Sequence, residues 1–328
     1  MIPTLIGITL VCFTLIQFVP GGPVEELIAK TKMVALESGA SSDINKALSA
    51  DEIANIKAYF GFDKPAWQRY FIWLGNVATF DLGKSYTYEE PVWDVIKSRF
   101  PISIFFGLTS LLLSYLICIP LGIYKAIHHG SRFDHWSSIL VFTGYVIPGY
   151  ALGILLIILF AGGTAFDWFP LGGMVSDHFE SMHFFEKVFD FLHHMILPLT
   201  CYMLGEFAFL TLLMKNSLLE EIGKDYMRTA VLKGATPLRA VMGHAFRNAL
   251  IPLATRISEI FTLMFAGALL IERVFDIDGM GLLYYNSMVN RDYNVVMGVI
   301  LLSSFMALLG RLFSDILYAW VDPRIQYK

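Results

Sequence analysis

Three stretches of the chain run for more than twenty residues without a charge: Ile2 to Val24, Pro101 to Tyr124 and Trp136 to Phe166. At 1.5 Å rise per residue, roughly 20 apolar residues cross the hydrocarbon core of a bilayer. Each stretch therefore reads as one membrane helix. Three further stretches are apolar with isolated charges. Met195 to Leu213 holds Glu206, Leu250 to Ile271 holds Arg256 and Glu259, and Asn294 to Leu317 holds Arg311 and Asp315. Some of these would also fit buried helices of a soluble domain. We read all three as spans, giving six. Ionisable residues inside spans face protein or water, so the last three helices are the expected pathway-lining half.

The short loops orient the spans. Lys125 and Arg132 lie between the second and third, and Lys224, Arg228, Lys233, Arg239 and Arg247 between the fourth and fifth. Arg324 and Lys328 follow the sixth. The opposite loops hold only Lys187, Arg273 and Arg291. The positive-inside rule then places both termini in the cytoplasm. The segment 25–99 falls outside, and its length exceeds the range over which that rule counts charges. Within it, Ser49 to Glu52 reads as an N-cap with an acidic first turn, opening a short helix over Ile53 to Phe60 that Gly61 ends. The polar residues from Glu37 to Asn45 read as a loop, and Trp67 to Trp73 as an aromatic interfacial stretch.

Composition agrees with a membrane protein. The chain is 56% hydrophobic and 16% charged, against about 25% charged in soluble domains. Mean hydropathy is +0.59. The net charge of −4 offers no polybasic surface for nucleic acid. The first apolar run lacks the cationic start and small-residue cleavage site of a secretory signal. Cys12, Cys118 and Cys201 have no metal or redox spacing and read as apolar fillers.

Other candidate chemistry is weak. Gly83-Lys84-Ser85 ends like a phosphate-binding loop, but that motif needs a glycine where Ala78 stands. His128-His129 and His193-His194 lack the one-face spacing of metal ligands and read as solvated or interfacial. Arg256 and Glu259 are three apart, and Arg311 and Asp315 four apart, so each pair can neutralise itself on one helix face. Glu206 has no such cation on its own helix. Near mid-membrane it must be protonated, paired with another subunit, or facing a wet pathway.

The cytoplasmic segment from Asn216 to Leu250 carries the most information. Tyr226 to Lys233 reads as a short helix, and Gly234 suits the left-handed position past its end. Thr236 and Pro237 read as N-cap and first helical residue of a second helix, running to about Ala249. The result is a helical hairpin whose Val231, Leu232, Leu238, Val241, Met242 and Phe246 need cover. It could lie on the lipid surface or dock another cytoplasmic protein.

The pattern Tyr226-x-x-Thr229-Ala230-x-x-Lys233-Gly234, followed by Arg247-Asn-Ala-Leu-Ile-Pro252, resembles the EAA loop of bacterial ABC importer permeases. More narrowly it resembles the dipeptide/oligopeptide permease family. The likeness runs through Ile2 to Leu5, Pro20 to Pro23, Phe80 to Ser85, Ile119 to Ile123, Ile271 to Phe275, Gly279 to Leu283, Arg291 to Tyr293 and Val321 to Ile325. Gly61 to Pro65, Gly130 to Asp134, Phe160 to Gly163 and Lys215 to Ser217 look closer to the B subunit of Yej-type peptide and microcin C importers. The chain departs from the family at Val231 and Leu232, where basic and small residues are common, and at Glu206, where a small residue is usual. The usual basic pair before the first helix is missing. Either the start is truncated or the later loops alone orient that helix.

The resemblance implies an all-α type I importer fold: helix 1 over 1–24, a periplasmic segment over 25–99, and a permease core over 100–328 with the coupling loop at about 216–250. It implies a bacterial inner-membrane subunit translocating oligopeptides, and peptide antibiotics such as microcin C. Its partners would be a second, homologous permease, one or two ABC ATPase subunits and a periplasmic peptide-binding protein. The chain would bind no cofactor and catalyse no reaction, with ATP and magnesium on the ATPases. Tyr226, Thr229, Ala230, Lys233, Gly234 and Ala235 would form the coupling loop. Glu206, Arg256 and Glu259 become candidates for the substrate pathway. A proton-coupled secondary transporter would also use Glu206 and Glu259, but would leave the loop unexplained. An intramembrane hydrolase would need a convergent nucleophile and base or a metal pair, and the sequence shows neither.

Overall fold

The structure, a computed structural model, describes residues 1–18, 33, 63–161, 163, 166–257 and 268–321, with side chains as far as 316. The expected short helix over 53–60, its Ser49 cap, and Glu259 lie outside the described residues. Among the described residues the chain is helical, with one isolated antiparallel bridge between Lys84 and Pro91.

Helix α1 spans Ile2–Phe18, α2 spans Ala66–Ala78, and α3 spans Val92–Ile127. α3 contains the charge-free run 101–124 but begins earlier, inside the segment assigned to the outside. Pro101 and Pro120 both lie within it, as bilayer helices tolerate. The third apolar run departs from expectation. It is two helices, α4 over Arg132–Val146 and α5 over Gly149–Phe160, bent by 98° at the break. Pro148 clashes with a helical conformation at the residue before it, and Ile147 is accordingly extended, with φ −81° and ψ 119°. α6, Phe184–Ile222, has 39 residues, about 58 Å of helix, and contains the fourth run.

The hairpin follows: α7 over Asp225–Leu232, then α8 over Pro237–Ala240. The second helix of the hairpin is not regular. A π-helical turn at Val241–Ala245 separates α8 from α9, Phe246–Ala249. Residues 251–257 are helical and begin the fifth apolar run. α10 (Leu269–Val274), α11 (Met280–Val289) and α12 (Tyr293–Val321) complete the chain. α3, α6 and α12 are long and apolar enough to cross a membrane, and the bent pair α4–α5 counts as a fourth crossing if taken as one span.

The contacts divide the chain into two units. The first holds 1–99 and 283–305. There α1 and α2 meet through Tyr70, whose hydroxyl lies 3.0 Å from Thr9 Oγ1 and donates to the Ile6 carbonyl at 3.1 Å. Trp67 and Phe71 on α2 are exposed, whereas Tyr70 between them is buried. Ser85, set aside as a phosphate-loop remnant, has a structural use: it is buried and donates to Asp292 Oδ2 at 2.5 Å. The same oxygen accepts the backbone N–H groups of Tyr86 and Thr87, each at 3.0 Å.

The second unit holds 100–282 and 306–328. Here α6 is the central element, packed by α4, α5 and α9. One apolar cluster joins Ala126, Met214 and Leu218 to Met227, Ala240, Val241, Ala245 and Ala249 of the hairpin. His194, expected to be solvated or interfacial, is buried on α6, with Nδ1 2.8 Å from the Asp190 carbonyl oxygen. Packing of its neighbours in α6 carries it inward, which spacing alone does not reveal.

Candidate functional site

The hairpin's turn is built by backbone hydrogen bonds. Gly234 N–H donates to the Val231 carbonyl at 2.9 Å, and Ala235 N–H to the Ala230 carbonyl at 3.2 Å. This pair of bonds is the Schellman arrangement, and it requires a left-handed residue past the helix end. Gly234 has φ +91°. Thr236 Oγ1 accepts the Arg239 N–H at 3.4 Å, and Pro237 follows at the first helical position. The local reading of this loop therefore holds, apart from the π-helical turn.

Of the six residues assigned to the loop, Tyr226, Thr229, Lys233 and Gly234 are exposed and Ala230 and Ala235 are half-buried. They lie on α7 and the turn after it. Glu221, near the end of α6, ties the hairpin down. Its carboxylate accepts Lys224 Nζ at 2.6 Å, the Tyr226 hydroxyl at 2.5 Å and Asn248 Nδ2 at 3.4 Å. One acid thus holds both ends of the hairpin to the long helix. Its bond to Lys224 raises that ammonium above the ordinary lysine value. Burial, and then the bond to Glu221, raise the Tyr226 phenol.

The outer face of the hairpin stays apolar and open. Leu232 is 87% exposed and Leu238 60%. Between α7 and α8 runs a groove of about 480 Å³ lined by Met227, Val231, Leu232, Pro237 and Val241. Monomers rarely leave contiguous apolar surface of this kind without a partner.

Glu206 and Arg256 come together. Spacing along the chain offers Glu206 no cation on α6 and pairs Arg256 with Glu259. In the structure Arg256 Nη2 reaches Glu206 Oε2 at 3.9 Å, with 49% of the Glu206 side chain and 32% of the Arg256 side chain exposed. The Arg256 guanidinium also sits 4.4 Å over the Phe209 ring. Glu206 therefore has a partner in its own chain, fifty positions on.

Buried carboxylates besides Glu221 also escaped the sequence reading, Asp292 and Glu272 among them. Asp292 organises the loop after Lys84, as described above. Glu272, 1% exposed, accepts the Leu282 N–H at 2.7 Å, the Ala268 N–H at 3.1 Å and the Tyr202 hydroxyl at 3.3 Å. It folds the segment between α10 and α11 around itself. Both acids lie in stretches that carried the family likeness, which was the available signal.

The binding-protein-dependent transport system inner membrane component family matches residues 118–327. The chain is 42% identical to the peptidoglycan transport system permease protein YejB of Agrobacterium fabrum, over the whole chain and 96% of that relative. It is 41% identical to the inner membrane ABC transporter permease protein YejB of Escherichia coli O157:H7, with the same coverage. To the dipeptide transport system permease protein DppB of Escherichia coli K12 it is 34% identical, again over the whole chain and 96% of the relative.

Proposed function

This chain belongs to the family of binding-protein-dependent transport system inner membrane components, and on that premise we propose that it is the channel-forming subunit of an ATP-driven peptide importer. It is a transport component and not an enzyme. The names of the relatives, which cover dipeptide and peptidoglycan transport, support small peptides and peptide-bearing fragments as substrate. In this reading the chain crosses a bacterial inner membrane six times, with both termini and the hairpin in the cytoplasm and 25–99 outside. It works beside a second, homologous permease and receives substrate from a periplasmic binding protein.

The observation that carries the mechanism is the open apolar face of a hairpin bolted to α6 through Glu221. ATPase subunits, one or two, dock on Tyr226, Thr229, Ala230, Lys233, Gly234 and Ala235. Magnesium and ATP sit on those subunits. When they close, the hairpin moves as a rigid piece and α6 moves with it, because its buried residues share one core with Met214 and Leu218. α6 carries Glu206, so the docking event reaches the Glu206–Arg256 pair along about 24 Å of helix. That pair, together with Glu259, lines the path that peptide follows. Reconstituted vesicles test the proposal: uptake should follow ATP and ignore an imposed proton gradient. Gradient-driven uptake without ATP would instead establish the secondary transporter.

A further inference from the structure

A buried charge cluster lies where α3, α4 and α6 meet. Asp134, 4% exposed, accepts Lys215 Nζ on both carboxylate oxygens, at 2.7 and 2.8 Å. Lys125 Nζ lies 3.2 Å from the same carboxylate, and the Gly130 N–H donates to it at 3.1 Å. Lys125 is fully buried, and its remaining bonds go to the Asp134 carbonyl at 3.0 Å, Ser137 Oγ at 2.6 Å and Ser138 Oγ at 2.8 Å. Two ammonium groups thus face one carboxylate. The excess positive charge is costly in low dielectric unless an anion joins it.

Lys215 is the cation with a way out. With His129 it lines the polar end of a groove of about 860 Å³, whose other end is lined by Ile139, Phe142 and Val146. Phe142 is 49% exposed and Val146 77%. The groove follows α4, whose 15 residues span about 22 Å. One leaflet of a ~30 Å core, plus its headgroup zone, has that depth. The 98° bend into α5 ends the groove at its apolar side.

We propose that this groove binds one anionic phospholipid, with its phosphate on Lys215 and an acyl chain along Ile139, Phe142 and Val146. A free phosphate would use only the polar end. A choline headgroup would add a cation beside charge already in excess. With the loop before α4 in the cytoplasm, the groove opens to the leaflet where anionic lipids gather. The site is independent of what the importer carries.

Native mass spectrometry of the chain in its assembled importer, released from nanodiscs of equimolar phosphatidylglycerol and phosphatidylcholine, tests this. One phosphatidylglycerol per chain should be retained, with a preference of roughly tenfold. Lys215→Gln should abolish the preference. Thr143→Trp fills the apolar end, leaves every charge in place, and should expel the lipid from an importer that still assembles; it decides the matter if Lys215→Gln fails to fold. Equal retention of both lipids, or retention unchanged in Thr143→Trp, overturns the proposal. So does displacement by millimolar inorganic phosphate, which would mark a simple anion site. Lipid held by the isolated chain but missing from the assembled importer would make the groove a subunit interface and overturn it as well.

Discussion

The Tyr226 hydroxyl donates to the Glu221 carboxylate over 2.5 Å, joining the first turn of the hairpin to the last turn of α6. Glu221 keeps Lys224 and Asn248 when that hydroxyl is removed. Tyr226→Phe should therefore leave the hairpin folded but loosen its attachment. A charge-assisted bond contributes about 1.5–3 kcal/mol when well buried, and a partly exposed one about 1 kcal/mol. The expected outcome is normal insertion, retained ATP hydrolysis and less peptide imported per ATP consumed. Uptake and phosphate release measured on the same vesicles check it; an unchanged ratio would mean that the bond transmits nothing.

Gly234 offers a test of the turn without a steric confound. A Cβ placed there meets nothing within 4 Å, so the cost of Gly234→Val is in the backbone. Holding a β-branched residue at φ +91° costs roughly 1–2 kcal/mol. The variant should assemble in the membrane yet dock ATPase poorly. Cross-linking from a cysteine at Ala230 or Ala235 reports docking directly: strong yield in the parent, weak yield with valine at 234. If no nucleotide state gives a cross-link in the parent, the hairpin is not the docking surface.

Gly279 is constrained by Glu272. A Cβ at 279 would lie 2.6 Å from the Glu272 carboxyl carbon and 2.7–2.8 Å from its oxygens. The carboxyl cannot retreat, because the Leu282 and Ala268 N–H groups hold it. Gly279→Ala should lower thermal stability by about 2 kcal/mol, the range of overpacking in a fixed site. Glu272→Ala should cost at least as much, since two backbone donors lose their acceptor. The double variant should be less damaging than the sum, because removing the carboxyl also removes the clash. Strict additivity in melting experiments would contradict the contact.

A charge-free run announced α3, and apolar runs with isolated charges announced α6 and α12 within longer helices, because the bilayer requirement is written into local composition. The break at Pro148 was equally local, in Ile147-Pro148-Gly149, yet the hydropathy of the surrounding run concealed it. Gly234, Thr236 and Pro237 were legible because turn and cap chemistry depends on single residues. The π-helical turn was not: no proline marks it, and the burial of Ala240, Val241 and Ala245 against α6 decides it. The roles of Glu272 and Asp292 depend on which distant N–H groups surround them. Asp292 and Ser85 are 207 positions apart, and no periodicity connects them. A separation of fifty positions likewise concealed Arg256 from Glu206.

That last pair yields the most specific expectation about substrate. Both groups sit in otherwise apolar stretches, where an isolated charge costs roughly 2.5–3.5 kcal/mol on insertion scales. At 3.9 Å they form an ion pair, and both side chains remain partly open. A peptide carries the complementary charges: an amino terminus or basic side chain for Glu206, a carboxylate for Arg256. The Phe209 ring under the guanidinium holds Arg256 in place, so losing the acid should not collapse the site. Glu206→Gln keeps the shape and removes the negative charge. Uptake of cationic peptides should fall by roughly three- to tenfold, the factor that about 1 kcal/mol commands, while neutral peptides change less. Arg256→Gln should shift the bias in the opposite sense, against acidic peptides. Co-purification with the second permease should be unaffected by Glu206→Gln. Equal loss for all peptide classes would reduce the pair to a structural tie between α6 and the helix at 251–257, and unchanged uptake of both classes would make Glu206 a bystander.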